Sequence, residues 1–306
     1  MTPPTRSRPA RGARSAAPWR SHQWSGYLYA LPALLLVSGI VHYSIAANGI
    51  FSTWKWNGVS PSHTPVGAAN YVALLGDPVF WKAIRNTLLF AIATIGVQLV
   101  LGFMIAILVR TRTRGGGLLR TLIFVPVVIS PAIVATSFRQ LLTPGGEFNQ
   151  LLQALGLHGF EHAWLADPRT ALFTIIAINI WQYTGYSFVI YDAAISQIDP
   201  TVIEAARIDG AGTARLLWHV IAPLVSGSHL VLIVLGVISA LKTFDVVFLT
   251  TGGGPGVETE FLSTYIYRLV ITQFHAGYGA ALSMVLVVIA LLFAVLQVRL
   301  SQRAVS

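Results

Sequence analysis

Six windows of the chain, at about 26–50, 85–109, 118–141, 170–191, 224–249 and 279–298, are each apolar over the length of a membrane-crossing helix. A helix needs roughly 20 such residues to cross about 30 Å of hydrocarbon. A soluble domain of 306 residues has too little polar surface to hide six of them. Composition agrees: 55% of residues are hydrophobic and 10% charged, against about 25% charged in a typical soluble domain. In lipid the backbone must satisfy its own hydrogen bonds, and windows of this length do so as helices. The expected fold class is an all-α membrane protein with six transmembrane helices. The third window contains Pro126 and Pro131 and ends near Arg139, which predicts a kinked, bundle-facing helix.

The net charge of +9 is arranged as an orientation signal, not as a nucleic-acid groove. Arg6, Arg8, Arg11, Arg14 and Arg20 crowd the first 24 residues, where no acid occurs, and Arg110, Arg112, Arg114 and Arg120 bracket a short connection. With the N-terminus inside, thirteen Lys and Arg fall on inner segments and six on outer ones, among them Lys82 and Arg85, so both termini are expected in the cytoplasm. Residues 51–84, 142–169 and 250–278 then face outward, and 110–117 and 192–223 inward. Residues 1–24 read as a disordered basic cytoplasmic tail and 25–306 as the transmembrane domain. The run from Gly26 to Ile50 exceeds the roughly 7–15 residues of a signal-peptide core and is expected to remain as the first span. With no cysteine, disulfides and thiolate chemistry are excluded.

The inward segment Asp199–Leu224, DPTVIEAARIDGAGTARLLWHVIAPL, carries the most information. Asp199 is a good N-cap with Pro200 at the first helical position, and Gly210 can take the left-handed conformation that ends a helix. Thr213 is expected to cap a second helix running to His219, and Pro223 to mark entry into the fifth span. A short helix, a glycine turn and another short helix make a rigid protrusion suited to a partner's groove. Glu204-Ala205-Ala206, three residues, Gly210, nine residues, then Val220-Ile221-Ala222-Pro223 resembles the EAA signature of ABC importer permeases, with Val220 and Ala222 standing where Ile and Leu are usual. Asn70-Tyr71 with Leu74–Phe90, Phe244–Pro255, Thr264–Phe274 and Gly277–Leu286 look like segments of the six-span sugar and glycerol-phosphate permeases.

The resemblance implies a type I importer bundle whose coupling helices seat in an ATPase subunit. Glu204, Ala205, Ala206, Asp209, Gly210 and Ala211 would form that contact. It also implies a second permease subunit, an ABC ATPase dimer and an extracytoplasmic solute-binding protein as partners, with a sugar as cargo and glycerol-3-phosphate as runner-up. The glycine runs Gly115–Gly117 and Gly252–Gly254 lack the lysine of a phosphate loop, so ATP and its magnesium are expected in a partner chain, with no cofactor here and no enzymatic role. Gly252–Pro255 reads as a tight outer turn on which the binding protein would dock.

Candidate path residues lie in the fourth and fifth windows. Asn179, Trp181, Gln182, Tyr183 and Tyr186 combine amides for hydroxyls with rings for a sugar's C–H face. They also suit interfacial aromatics and helix-packing polar groups. Lys242 and Asp245, at i and i+3, are close enough to pair on one helical face and are expected to turn toward the bundle or a cavity because charge in lipid is expensive. They read as a polar lining of the path, or as a neutralised pair or a lysine snorkelling to the nearer surface. His158 and His162 around Glu161 are not in a metal-binding order and read as a solvated loop. A secondary transporter would call for paired intramembrane carboxylates and inverted repeats, and an intramembrane enzyme for a metal or nucleophile motif. Neither pattern stands out.

Overall fold

The computed structural model describes residues 23–110 and 116–305. Residues 1–22 of the expected tail, with its five arginines, and Arg112 and Arg114 lie outside the described residues, while Gln23 and Trp24, expected in the tail, already belong to a helix.

The chain divides into two compact units, residues 1–47 and 48–306. In the first, α1 (Gln23–Val37) runs through a π turn (Ser38–His42) into α2 (Tyr43–Phe51), which ends within the second unit. Tyr29–Phe51 is apolar and long enough to span.

The second unit opens with a two-residue antiparallel ribbon, β1 (Trp54–Lys55) and β2 (Thr64–Pro65), the only strands among the described residues. After α3 (Ala69–Leu75) comes α4 (Pro78–Arg110), 33 residues. It starts well before the apolar window because Asp77 Oδ1 accepts from Val79 N at 2.8 Å and Pro78 needs no N–H partner. Lys82, expected in the outer loop 51–84, therefore sits near the start of this helix, and Arg85 lies two turns in.

The third window is a broken span, not a kinked helix: α5 (Gly116–Val128) and α6 (Pro131–Leu141) meet at 90°. Pro131 pushes Ser130 out of the helical region, to ψ 133°, while Pro126 is absorbed within α5. Nor does α5 face only the bundle, since none of its residues is fully buried.

Next come α7 (Glu147–Ala154) and α8 (Ala171–Ser196), five residues longer than its window at the C-terminal end. Then follow α9 (Pro200–Ile208), α10 (Thr213–Leu216), a π turn (Leu217–Ile221) and α11 (Ala222–Leu224). The chain breaks at Val225 before α12 (Ser226–Lys242), and again before α13 (Asp245–Thr250). It closes with α14 (Leu262–Tyr267), a π turn (Arg268–Thr272) and α15 (Ala276–Val305). Thr213 is not a cap: Gly212 holds that position and no side chain bonds there. Pro223 lies in α11, just before the bend that leads into α12.

Three helices can cross unaided, and the bent pairs α5–α6 and Thr213–Leu224 with α12 (68°) raise the number to five. The sixth span is α8. Its 26 residues suffice in length, but its polar middle makes it less apolar, and half of its residues are buried, so protein solvates it in place of lipid. It is the central helix, packed along α4, α5 and α12. Close approach needs glycine: a Cβ on Gly102 of α4 would stand 2.6 Å from Ser187 Cβ, and one on Gly185 of α8 only 2.2 Å from Ile123 O.

Three apolar clusters hold the unit together. One gathers Leu74, Phe80, Leu262 and Leu282 at the ribbon end. A middle one gathers Phe90, Val134, Ile175 and Val247. The third gathers Phe103, Phe188, Tyr191 and Ile221 at the α9 end. At the ribbon end, Asp77 Oδ2 accepts from the Tyr278 hydroxyl at 2.9 Å and from the Tyr265 hydroxyl, tying α4 to α14 and α15. Burial alone would push this carboxyl up. Hydrogen bonds from Tyr265, Tyr278 and the Val79 and Phe80 amides outweigh it and hold the group below its ordinary value.

Gly185→Ala is expected to lower the thermal midpoint in detergent, costing about 1–3 kcal/mol because the clash is with backbone. For Asp77 the depressed pKa means that its stabilisation is present above the ordinary value near 3.9 and is lost as pH falls through the folded one. Asp77→Asn should therefore lower the midpoint at neutral pH and flatten the acid limb of a stability–pH curve.

Candidate functional site

Where the middle and α9-end clusters part, α4, α8 and α12 leave open space. One cavity of about 340 Å³ is lined by Phe90, Thr94 and Gln98 of α4, by Asn179, Tyr183, Tyr186 and Ser187 of α8, and by α12 from Leu232 to Ala240. A second, of about 330 Å³, is lined by Asn179, Gln182, Tyr183, Ser239, Lys242, Thr243, Phe244 and Asp245. The two share Asn179, Tyr183, Leu235 and Ser239 and so adjoin. All six candidate path residues (Asn179, Gln182, Tyr183, Tyr186, Lys242 and Asp245) line one or both. Trp181 does not; it packs edge-on against Phe138 at 5.2 Å.

The amides are partly committed. Gln98 Nε2 donates to Asn179 Oδ1 at 3.1 Å and to Asn179 O at 3.2 Å. Gln182 Nε2 donates at 3.0 Å to Ile129 O, a carbonyl at the α5–α6 break. Asn179 Nδ2 and the hydroxyls of Tyr183 and Tyr186 have no protein partner among the described residues, leaving them free for a polar guest.

Lys242 and Asp245 do not share a helical face. Lys242 ends α12, Thr243 (ψ 117°) and Phe244 (φ −132°) are non-helical, and Asp245 begins α13. No ion pair within 4.0 Å joins them; the two charges border the second cavity from either side of the break. The Ser263 hydroxyl donates to Thr243 O, satisfying a carbonyl that the break exposes. Phe244, Phe248 and Tyr267 cluster beside it, with ring centroids 4.9–5.4 Å apart. Sequence reasoning missed Thr94, Gln98, Ser187 and Ser239. Their signal was available: each is a polar residue inside an apolar window, which pays to face protein or a cavity.

At the far end of α8 the chain turns into α9. Asp199 Oδ1 accepts from Thr201 N at 2.9 Å, and this bond holds its carboxyl below the ordinary value. Gly210, at φ +79°, closes the helix with a two-bond lock: Gly210 N donates to Arg207 O and Ala211 N to Ala206 O, both at 3.0 Å. Ile203 and Ala206 pack on the α9-end cluster. Glu204, Ala205, Asp209 and Gly210 are exposed and Ala211 is half-buried; Ile208 is 85% exposed. An isoleucine so exposed, beside small residues and an acid, makes a surface fit for a protein partner.

At the ribbon end, Gly252 and Gly253 take φ +62° and +90° in the expected tight turn. Its continuation is tied down by the Lys82–Glu258 pair, by Asn86 Nδ2 donating to Glu258 O at 2.8 Å, and by buried Glu260 with Arg268 at 3.0 Å. His158 and His162 turn to different acids, Glu161 at 3.3 Å and Asp167 at 2.8 Å.

Helices apolar and long enough to span a membrane, a polar cavity between α4, α8 and α12, and a helical protrusion beyond α8 are features that suit a membrane permease. The match over residues 98–306 to the model of binding-protein-dependent transport system inner membrane components shows that the chain belongs to that family. It is 35% identical over 276 residues, 89% of this chain and 94% of the other, to a probable ABC transporter permease, YurN, of Bacillus subtilis. It is 32% identical over 282 residues, 91% and 94% of the two chains, to the lactose transport system permease LacF of Rhizobium radiobacter. Its fold superposes with TM-score 0.80 on a chain of a bacterial ABC transporter that imports the acidic polysaccharide alginate, at 25% identity and covering 93% and 98%.

Ser239 borders both cavities, so Ser239→Phe should abolish most uptake while leaving membrane insertion and thermal midpoint near wild type. Uptake in cells and unfolding of the purified protein would check this.

Proposed function

We propose that this chain is the translocation subunit of an ABC importer for a sugar or oligosaccharide, and that cavities lined by Asn179, Gln182, Tyr183, Tyr186, Lys242 and Asp245 are its path. The observation that carries this is the adjoining cavity pair, with unpartnered tyrosine hydroxyls and an amide at mid-bundle. Rings bearing hydroxyls suit the alternating C–H and O–H surface of a neutral polyol. LacF and the alginate importer, similar along nearly the whole chain, support the substrate class. Lys242 is the only cation among the residues lining either cavity, and Asp245 borders the same space, which disfavours a phosphorylated substrate.

Glu204, Ala205, Ala206, Asp209, Gly210 and Ala211 then present the contact for a separate ATPase. In this assignment ATP and its magnesium stay in the ATPase pair, this chain holds no cofactor, and both termini and α9 lie in the cytoplasm. A second permease completes the pathway, and an extracytoplasmic binding protein delivers the sugar. Closure of the ATPases moves α9, and α8, one continuous helix from cavity to α9, transmits that movement.

Tagged protein pulled down in mild detergent should bring an ATPase and a second permease, with ATP turnover in the eluate. A lone protein that still transports after reconstitution would refute the assignment. Glu204→Lys is expected to separate ATP hydrolysis from uptake without loss of insertion, and unchanged uptake would remove Glu204 from the contact.

A further inference from the structure

The amide of Gln98, in α4, reaches two acceptors on a single residue of α8. Its Nε2 donates to Asn179 Oδ1 at 3.1 Å and to Asn179 O at 3.2 Å. The backbone carbonyl fixes the polarity of both side chains. The oxygen and nitrogen of an amide are nearly alike in shape, so a bond between two amides alone could run either way. A carbonyl only accepts, so the Gln98 atom that faces Asn179 O is the nitrogen. Asn179 must then turn its own oxygen to that nitrogen and its Nδ2 away. Two atoms are left over, an acceptor, Gln98 Oε1, and a donor, Asn179 Nδ2. Neither has a protein partner among the described residues, and neither is sealed from open space.

Both residues line the cavity of about 340 Å³, and Asn179 also lines the adjoining one, so the pair stands where the two meet. None of the residues lining the first cavity is charged. An anion would find one N–H donor in this pair, beside an acceptor that repels it. An apolar guest would leave both atoms unsatisfied, which is costly inside a protein. A hydroxyl is donor and acceptor at once, so one hydroxyl, or two on neighbouring carbons, can satisfy both atoms together. It also reproduces the hydrogen bonds of a water that it displaces. We propose that Gln98 and Asn179 form a fixed donor–acceptor pair that takes a neutral hydroxyl of the cargo, with Gln98 setting which way Asn179 faces. The inference rests on the sugar-import reading and deepens it: this part of the path selects by hydroxyl and not by charge, and α4 takes part in recognition together with α8.

The test uses the full chain in liposomes, assembled with the subunits it pulls down and its binding protein. Wild type is offered an equal mixture of lactose, maltose, sucrose, trehalose and raffinose, and the sugar taken up is then compared with its single deoxy forms. Discrimination by the binding protein is common to every variant and cancels when their ratios are compared. At one hydroxyl position, Gln98→Leu and Asn179→Leu should each lose about tenfold of the wild-type preference for the sugar over its deoxy form, the effect of one hydrogen bond. Preferences at the other positions should stay as in wild type. The double variant should lose no more than either single one, because both remove partners of the same hydroxyl site. A pair that serves only helix packing would reduce folded protein or slow every sugar alike and leave all ratios unchanged, and that result would overturn the proposal. Loss at different positions in the two variants would also overturn it. A wild type that admits none of the five sugars would refute the sugar reading itself, whereas uptake with unchanged ratios refutes only this role for the pair. If one variant does not fold, the other decides.

Discussion

The structure depends on one obligation: a polar group that enters the bilayer must find its partner within the protein. Unbroken helices meet it automatically, and α4 and α15 are of that kind. The breaks do not, and each needs a nearby donor. Gln182 serves the carbonyl of Ile129 at the α5–α6 break, and Ser263 serves that of Thr243 between α12 and α13. These two of the three breaks border the second cavity, which Pro131 and Thr243 help to line, while Val225 at the third is buried.

The same obligation explains α8. Its middle is more polar than that of the other spans, and it lies at the centre, with Asn179, Gln182, Thr184 and Ser187 buried. Small residues let its neighbours come close enough to do this, Gly185 against α5 and Gly102 of α4 against Ser187. A polar helix held so tightly is stiff. It ends next to α9, so cavity and protrusion are joined by one continuous element. Asp192, clamped by Arg110 and Arg120, fixes that element against α4 and α5 just before it leaves the bundle.

Charge outside the bundle core is handled differently. At the ribbon end, acids are paired in place: Asp77 with two tyrosines, Glu258 with Lys82, and Glu260 with Thr264 through Oε1 and with Arg268 as an ion pair. At the α9 end, described arginines outnumber the acid they pair with.

The number of spans, the cap at Asp199 and the glycine end of α9 were legible in the sequence, because each follows from local chemistry: apolar length, a side chain two residues from its amide, a residue without Cβ. The membership of the cavity lining was also largely legible, since polar residues in apolar windows must turn inward. What only the tertiary structure decided was where helices stop. Pro131 turned an expected kink into a right angle, and the fifth window lost its end to a break that sets Lys242 and Asp245 apart. Pro126 shows why the pattern alone was insufficient, for it sits in an intact helix only thirteen residues long. A break persists when neighbouring helices supply the lost hydrogen bonds, and those neighbours are remote in sequence: Gln182 is 53 positions from Ile129, and Ser263 is 20 from Thr243.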